Sequence, residues 1–157
     1  MDSPVASPPS AERLAAVETI ARELLPRTSL IARLLLRRAS SSLSRAEAGV
    51  LSALGERPMR VTELAASQAL ARPTVTQLVA RLAERGLVER GRDPGDGRAV
   101  LVSATPAGLE ALEDLRQEYR ALLRDQLAAH TDEDVLALAG AIELIQEIID
   151  ALQADAP

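Results

Sequence analysis

Residues 72–82 read Arg-Pro-Thr-Val-Thr-Gln-Leu-Val-Ala-Arg-Leu. Wound as a helix, this stretch gathers Val75, Leu78, Val79 and Leu82 on one side. Pro73, Thr76, Gln77 and Ala80 fall on the other, with Arg81 beside them. The polar side carries hydrogen-bonding groups and positive charge but no nucleophile–base pair, so its chemistry is recognition rather than bond making. Small residues let such a helix sit deep in the major groove of DNA. Thr76 and Gln77 can then reach base edges, and glutamine matches the donor–acceptor pair of adenine. Arg72 and Arg81 suit phosphate, as do Thr74 and the first amides of the helix. The competing readings are local capping for Thr74 and Thr76, and a solvated side chain for Gln77.

Other chemistries are short of residues. The chain has 157 residues and no cysteine, which removes disulfides, thiol sensing and Cys-ligated zinc. His130 is its one histidine, so a histidine-rich metal site is impossible. With no phosphate-cradling glycine loop and no metal cluster, the sequence does not read as an enzyme and implies no cofactor. Tyr119 is the one aromatic residue, which argues against binding single strands by base stacking. His130, beside a turn, reads as solvated rather than as a ligand, and Tyr119 as packing. No apolar run approaches the roughly 18 residues of a membrane helix. A soluble cytoplasmic protein is the expectation, with residues 1–10, rich in Ser and Pro, as a short disordered tail.

Charge is informative only when divided. The net charge of −5 argues naively against a polyanion partner, yet all 18 basic residues are arginine and unevenly placed. Residues 24–46 hold five Arg and no acid, residues 60–98 hold seven Arg against five acids, and residues 105–157 hold three Arg against twelve acids. An acidic chain can still present a basic face, and the face is what a polyanion meets. The bland alternative is that the acidic helices merely solvate their exposed sides.

The elements that must position these residues follow from spacing. Leu and Ala make up about a third of the chain, which favours helix. Residues 11–42 read as helix, with a kink or break expected near Pro26. Ser44-Arg45-Ala46-Glu47 is a capping box that starts a short helix ending near Gly55. Thr62 is the expected N-cap of the next short helix, from Glu63 to about Ser67. Pro73 suits the first turn of the reading helix, about 72–85, and Gly86 its end. Ala71 stands where a polar cap is expected. Residues 87–90 and 99–102 are extended and flank a turn-rich stretch, 91–97, giving a charged β-hairpin over about 87–103. Thr105-Pro106 starts a long helix and Thr131 a last one. In that last helix Val135, Leu138, Ile142, Ile145, Ile149 and Leu152 form a seam. The order is that of a winged helix-turn-helix. The predicted fold is mostly α with a small β-hairpin wing, as a winged helix-turn-helix domain (44–104) between N-terminal (11–43) and C-terminal (105–157) helical regions.

The residues that carry this order resemble the MarR family of bacterial transcription regulators. They are Val61-Thr62-Glu63-Leu64-Ala65, the run from Pro73 to Leu82, and Arg85-Gly86-Leu87-Val88-Glu89-Arg90. Asp96-Gly97-Arg98, then Ala99 to Ser103, and Thr105-Pro106-Ala107-Gly108 complete the pattern. The resemblance is specific over about 61–108. It implies a homodimer joined through the terminal helices, each subunit offering one winged helix to double-stranded DNA. It also implies that Arg98 enters the minor groove with Asp96 bracing it. An ordinary surface salt bridge is the competing reading of that pair. Arg90 and Arg92 are weaker wing candidates, and Arg45 suits backbone phosphate.

The function expected is a transcriptional repressor that binds a palindromic operator and is released by a small-molecule effector. Arg27, Arg33, Arg37 and Arg38 are candidate contacts for an anionic effector. The alternative is a dimeric architectural or protein-interaction helical protein without a DNA role. The wing separates the two, because a scaffold has no need of Asp96 and Arg98 on a glycine-rich hairpin.

Overall fold

The chain is described by a computed structural model covering residues 10–92 and 100–154. Helix α1 (Ala11–Arg38) is capped by Ser10, whose Oγ accepts the Arg13 amide at 3.2 Å. Pro26 lies inside α1, and the helix continues through it without the break the sequence suggests. The ring costs the Arg22 carbonyl its intrahelical donor, but good helix formers on both sides carry the helix past that one lost bond.

Helix α2 (Arg45–Glu56) begins at the predicted capping box: the Ser44 amide donates to Glu47 Oε2 at 2.8 Å and the Glu47 amide to Ser44 Oγ at 3.3 Å. Strand β1 (Met59–Arg60) and helix α3 (Val61–Ser67) follow. Strand β1 lies in a stretch to which the sequence reading assigns no element. The structure also corrects one expectation. Thr62 lies in the first turn of α3 instead of capping it, because Glu63 reaches back to accept the Arg60 amide at 2.6 Å and starts the helix two residues earlier.

Helix α4 (Arg72–Glu84) leads into strands β2 (Val88–Arg92) and β3 (Val100–Ala104). The antiparallel sheet has the order β1-β3-β2, with Met59 opposite Val102 and Arg90 opposite Val102 on the other edge. Gly91 and Arg92 belong to β2 and not to the turn that their composition suggested. Helices α5 (Pro106–Leu127) and α6 (Asp132–Ala154) complete the described chain. Among the described residues no helix is long and apolar enough to cross a membrane.

Contacts divide the chain into a unit ending at Leu115 and a second beginning at Arg116. The first holds the core. Val50, Leu51 and Leu54 of α2, Leu64 of α3, and Val75, Leu78, Val79 and Leu82 of α4 are buried there. Val88 and Val102 of the sheet and Leu112 and Leu115 of α5 close it. The start of α5 is bound tightly to the end of α4. Thr105 donates its amide to the Leu87 carbonyl (3.1 Å) and its hydroxyl to the Gly86 carbonyl (2.7 Å). The same hydroxyl accepts the Gly108 amide (3.1 Å), as the cap that the sequence predicts. Gly108 is needed because a Cβ there would collide with the Leu87 carbonyl.

In the second unit, Thr131 and Asp134 cap α6 reciprocally, at 3.3 Å and 3.2 Å. Neither α1 nor α6 buries a residue in the single chain. Leu136, Ile142, Leu144 and Leu152 of α6 are each at least 60% exposed.

Helices α3 and α4 end in the same geometry but with different residues. After α4, the Gly86 amide bonds to the Ala83 carbonyl and the Leu87 amide to the Leu82 carbonyl, with Gly86 at φ 70°. After α3, the Ala69 amide bonds to Ala66 and the Leu70 amide to Ala65, with Ala69 at φ 50°. The left-handed conformation suits glycine and costs alanine about 1 kcal/mol. Ala69→Gly should therefore raise stability by up to about 1 kcal/mol, and Gly86→Ala should lower it by at least a similar amount. Urea unfolding of the two variants beside the parent chain checks both signs.

Candidate nucleic-acid interface

Burial of Val75, Leu78, Val79 and Leu82 turns the opposite side of α4 to solvent. Arg72, Pro73, Thr74, Thr76, Gln77 and Arg81 are all exposed there. The wheel drawn from sequence is thus the wheel observed. The N-terminus of α4 is open: Ala71 occupies the cap and offers no side-chain acceptor. Pro73 has no amide, so the Arg72 and Thr74 amides are the donors left facing outward.

The polar groups differ in what they still offer. The Thr76 hydroxyl donates to the Arg72 carbonyl at 2.9 Å, within the helix. Its hydrogen is therefore engaged, and outward it presents a methyl group and an accepting oxygen. This is a back-bond inside the helix, not the capping bond weighed from sequence. Gln77 has no hydrogen-bond partner among the described residues and keeps both donor and acceptor. An open groove of about 250 Å³ is lined by Val61, Arg72, Thr76, Arg90 and Val100. It joins the start of α4 to both wing strands, and so brings Arg90 beside Arg72 and Thr76 with more prominence than its sequence context suggested. Asp96 and Arg98 lie outside the described residues.

One acidic residue belongs to this face and was read from sequence only as a helix cap. Glu47 is 7% exposed, at the start of α2. Its Oε1 lies 3.9 Å from Nε of Arg81, in the last turn of α4, and 3.5 Å from Nη1 of Arg85, the C-cap of that helix. Arg85 Nη2 also donates to Ser42 Oγ at 2.7 Å. Burial pushes the Glu47 carboxyl pKa up, but the Ser44 amide and hydroxyl and the charges of Arg85 and Arg81 outweigh it, leaving the group below its ordinary value. Glu63 is also lowered, chiefly by the bond from the Arg60 amide.

Arg27 pairs with Glu23 at 3.1 Å within α1. His130 lines an open cavity of about 480 Å³ at the α5–α6 turn, with Leu127, Asp132 and Val135.

Comparison with known proteins bears on the same segment. A model of the MarR family matches residues 41–99. An uncharacterized HTH-type transcriptional regulator of Mycobacterium bovis is 31% identical over 115 residues, 73% of this chain and 80% of that protein. Among solved structures, a probable transcriptional regulator from Pseudomonas aeruginosa is 31% identical with a TM-score of 0.60, over 80% of this chain and 96% of that one. The PcaV transcriptional regulator from Streptomyces coelicolor, solved with its natural ligand, is 28% identical with a TM-score of 0.55, over 85% and 91%.

A carboxyl whose folded pKa is lowered contributes stability at pH above its unfolded value and loses it as the pH falls through the folded one. Glu47→Gln should cost about 1–3 kcal/mol at neutral pH. The gap between parent and variant should close as the pH drops below about 4. Thermal melts of both chains across that range measure it; a gap independent of pH would mean that Glu47 is not held as a carboxylate.

Proposed function

The chain belongs to the MarR family of DNA-binding transcriptional regulators, and we propose that it is a repressor that binds a palindromic operator as a homodimer and is released by a small anionic effector. The observation that carries the reading is the outward side of α4, where an unpartnered Gln77 lies among the exposed Arg72, Thr74 and Arg81. Residues 44–104 form the DNA-binding domain in this reading. Gln77 and Thr76 contact bases in the major groove. Gln77 offers the paired donor and acceptor that adenine needs, and Thr76 an acceptor and a methyl. Arg72, Arg81, Thr74 and the amides of the uncapped first turn, braced by Pro73, hold phosphates. Arg98, braced by Asp96, reaches into the minor groove as the family resemblance implies.

The helices outside that domain, residues 11–43 and 105–157, make the dimer. Support comes from the apolar side chains left bare on α1 and α6, such as Val17, Ile20, Ile142 and Ile149, since bare apolar area on this scale marks an association surface. The effector is supported by the Streptomyces relative, solved with its natural ligand. Binding that favours one spacing of the two reading helices over another shifts the population away from the DNA-bound state. With Tyr119 its one aromatic residue, the chain has little to stack on a ring, which favours charge recognition of the effector. A cytoplasmic location follows from contact with the genome.

Selection of bound sites from a random or genomic DNA pool should return a palindrome with half-sites about 10 bp apart. Against that site, Gln77→Ala should cost about 1–3 kcal/mol at one base pair and little on unrelated DNA. Equal losses on every sequence would reduce Gln77 to a backbone contact. Arg98→Ala should weaken a mobility shift strongly while leaving the dimer folded. In sedimentation the parent should have twice the chain mass, and Ile142→Asp with Ile149→Asp should bring it to the mass of one chain.

A further inference from the structure

We propose that Glu47 is a specificity-determining residue that withholds Arg85, at the end of the reading helix, from the DNA backbone and limits the grip of Arg81 on it. The inference rests on the reading of α4 as the DNA-facing helix and goes beyond it. Arg81, in the last turn of α4, and Arg85, its C-cap, have side chains 54% and 34% exposed. They therefore sit at the border between core and solvent, where a phosphate could reach them. Instead both turn toward one nearly buried carboxylate on α2. Arg85 is the more fully engaged, with one terminal nitrogen on Glu47 and the other on Ser42 Oγ. Arg81 meets Glu47 more loosely, through Nε at 3.9 Å, and is the more exposed of the two. The other carboxylate oxygen of Glu47 is fixed by the Ser44 amide, so the group cannot swing away when a phosphate approaches.

An arginine on this face that is not restrained binds any DNA equally well. Each phosphate neutralised releases counterions and steepens the dependence of log K on log salt by about 0.9. Such contacts raise the affinity for every sequence and dilute the discrimination made by Gln77. A carboxylate set behind two arginines lowers that general term and leaves base contacts untouched. Purely structural cross-linking of α2 to α4 is the rival account, and an apolar pair would serve it as well. The two differ in sign: loosened packing weakens binding to all DNA, whereas released arginines strengthen binding to arbitrary DNA.

The test uses the full chain and a fluorescent duplex of random sequence, titrated by anisotropy over a series of NaCl concentrations, beside the operator selected above. Glu47→Gln keeps the shape and the acceptor for the Ser44 amide but removes the charge. It should raise affinity for the random duplex by about tenfold at low salt and steepen the salt slope by about 1 to 2, while the ratio of operator to random affinity falls. Ser42→Ala, at an exposed position, frees one nitrogen of Arg85 without touching the carboxylate and should shift the slope the same way by less. It carries the test if Glu47→Gln does not fold. Unchanged or lower affinity for the random duplex overturns the inference while leaving the DNA-binding reading intact. A parent chain that binds neither duplex overturns both.

Discussion

Four side chains of α4, Val75, Leu78, Val79 and Leu82, are no more than 2% exposed, and their burial sets the rotation of that helix about its own axis. Each contributes about 1.5–3 kcal/mol to folding. A rotation of one residue would put Gln77 or Thr76 into the core with unsatisfied polar atoms and bring two apolar groups out. The outward display of α4 is therefore a by-product of packing. No polar contact is needed to aim it, which leaves Gln77 unengaged and the first turn uncapped.

Around this helix, local and distant interactions divide the work. Caps built from residues three apart, at Ser44–Glu47, Thr105–Gly108 and Thr131–Asp134, fix where helices begin. Contacts between residues far apart in sequence fix how the helices sit. Arg85 with Glu47 and Ser42 ties α4 to the start of α2, and Thr105 ties the end of α4 to the start of α5. Glu47 serves both tasks, since one of its oxygens closes a cap while the other meets α4.

That division explains what the sequence could tell. The capping boxes and the amphipathic side of α4 are legible because their spacing is local. The bounds of α4 follow from the same logic, expected at 72 to about 85 and observed at Arg72–Glu84. Of the kink or break expected at Pro26, the break does not occur, because a single lost hydrogen bond is smaller than the combined preference of the helix around it. Strand β1 was missed because two residues show no alternation, and its partner β3 lies some forty residues on. The cap of α3 was misplaced because two candidates, a Thr62 hydroxyl and a Glu63 carboxylate reaching backward, sit side by side. The link from Glu47 to Arg85 spans 38 residues and follows from no motif. Its one sequence signal is the spacing of Arg81 and Arg85, which places both on one flank at the end of α4.

The joint at Gly108 bears on how the sequence is able to drift. A side chain at that position would meet the carbonyl of Leu87, which every amino acid carries. No replacement of Leu87 can make room, so a defect at Gly108 has no second-site suppressor at its contact partner. Relief would require moving the backbone at Leu87, and the Thr105 amide holds that same carbonyl in place. Positions 87 and 108 are in direct contact and yet are expected to vary independently, one freely among apolar residues and the other hardly at all.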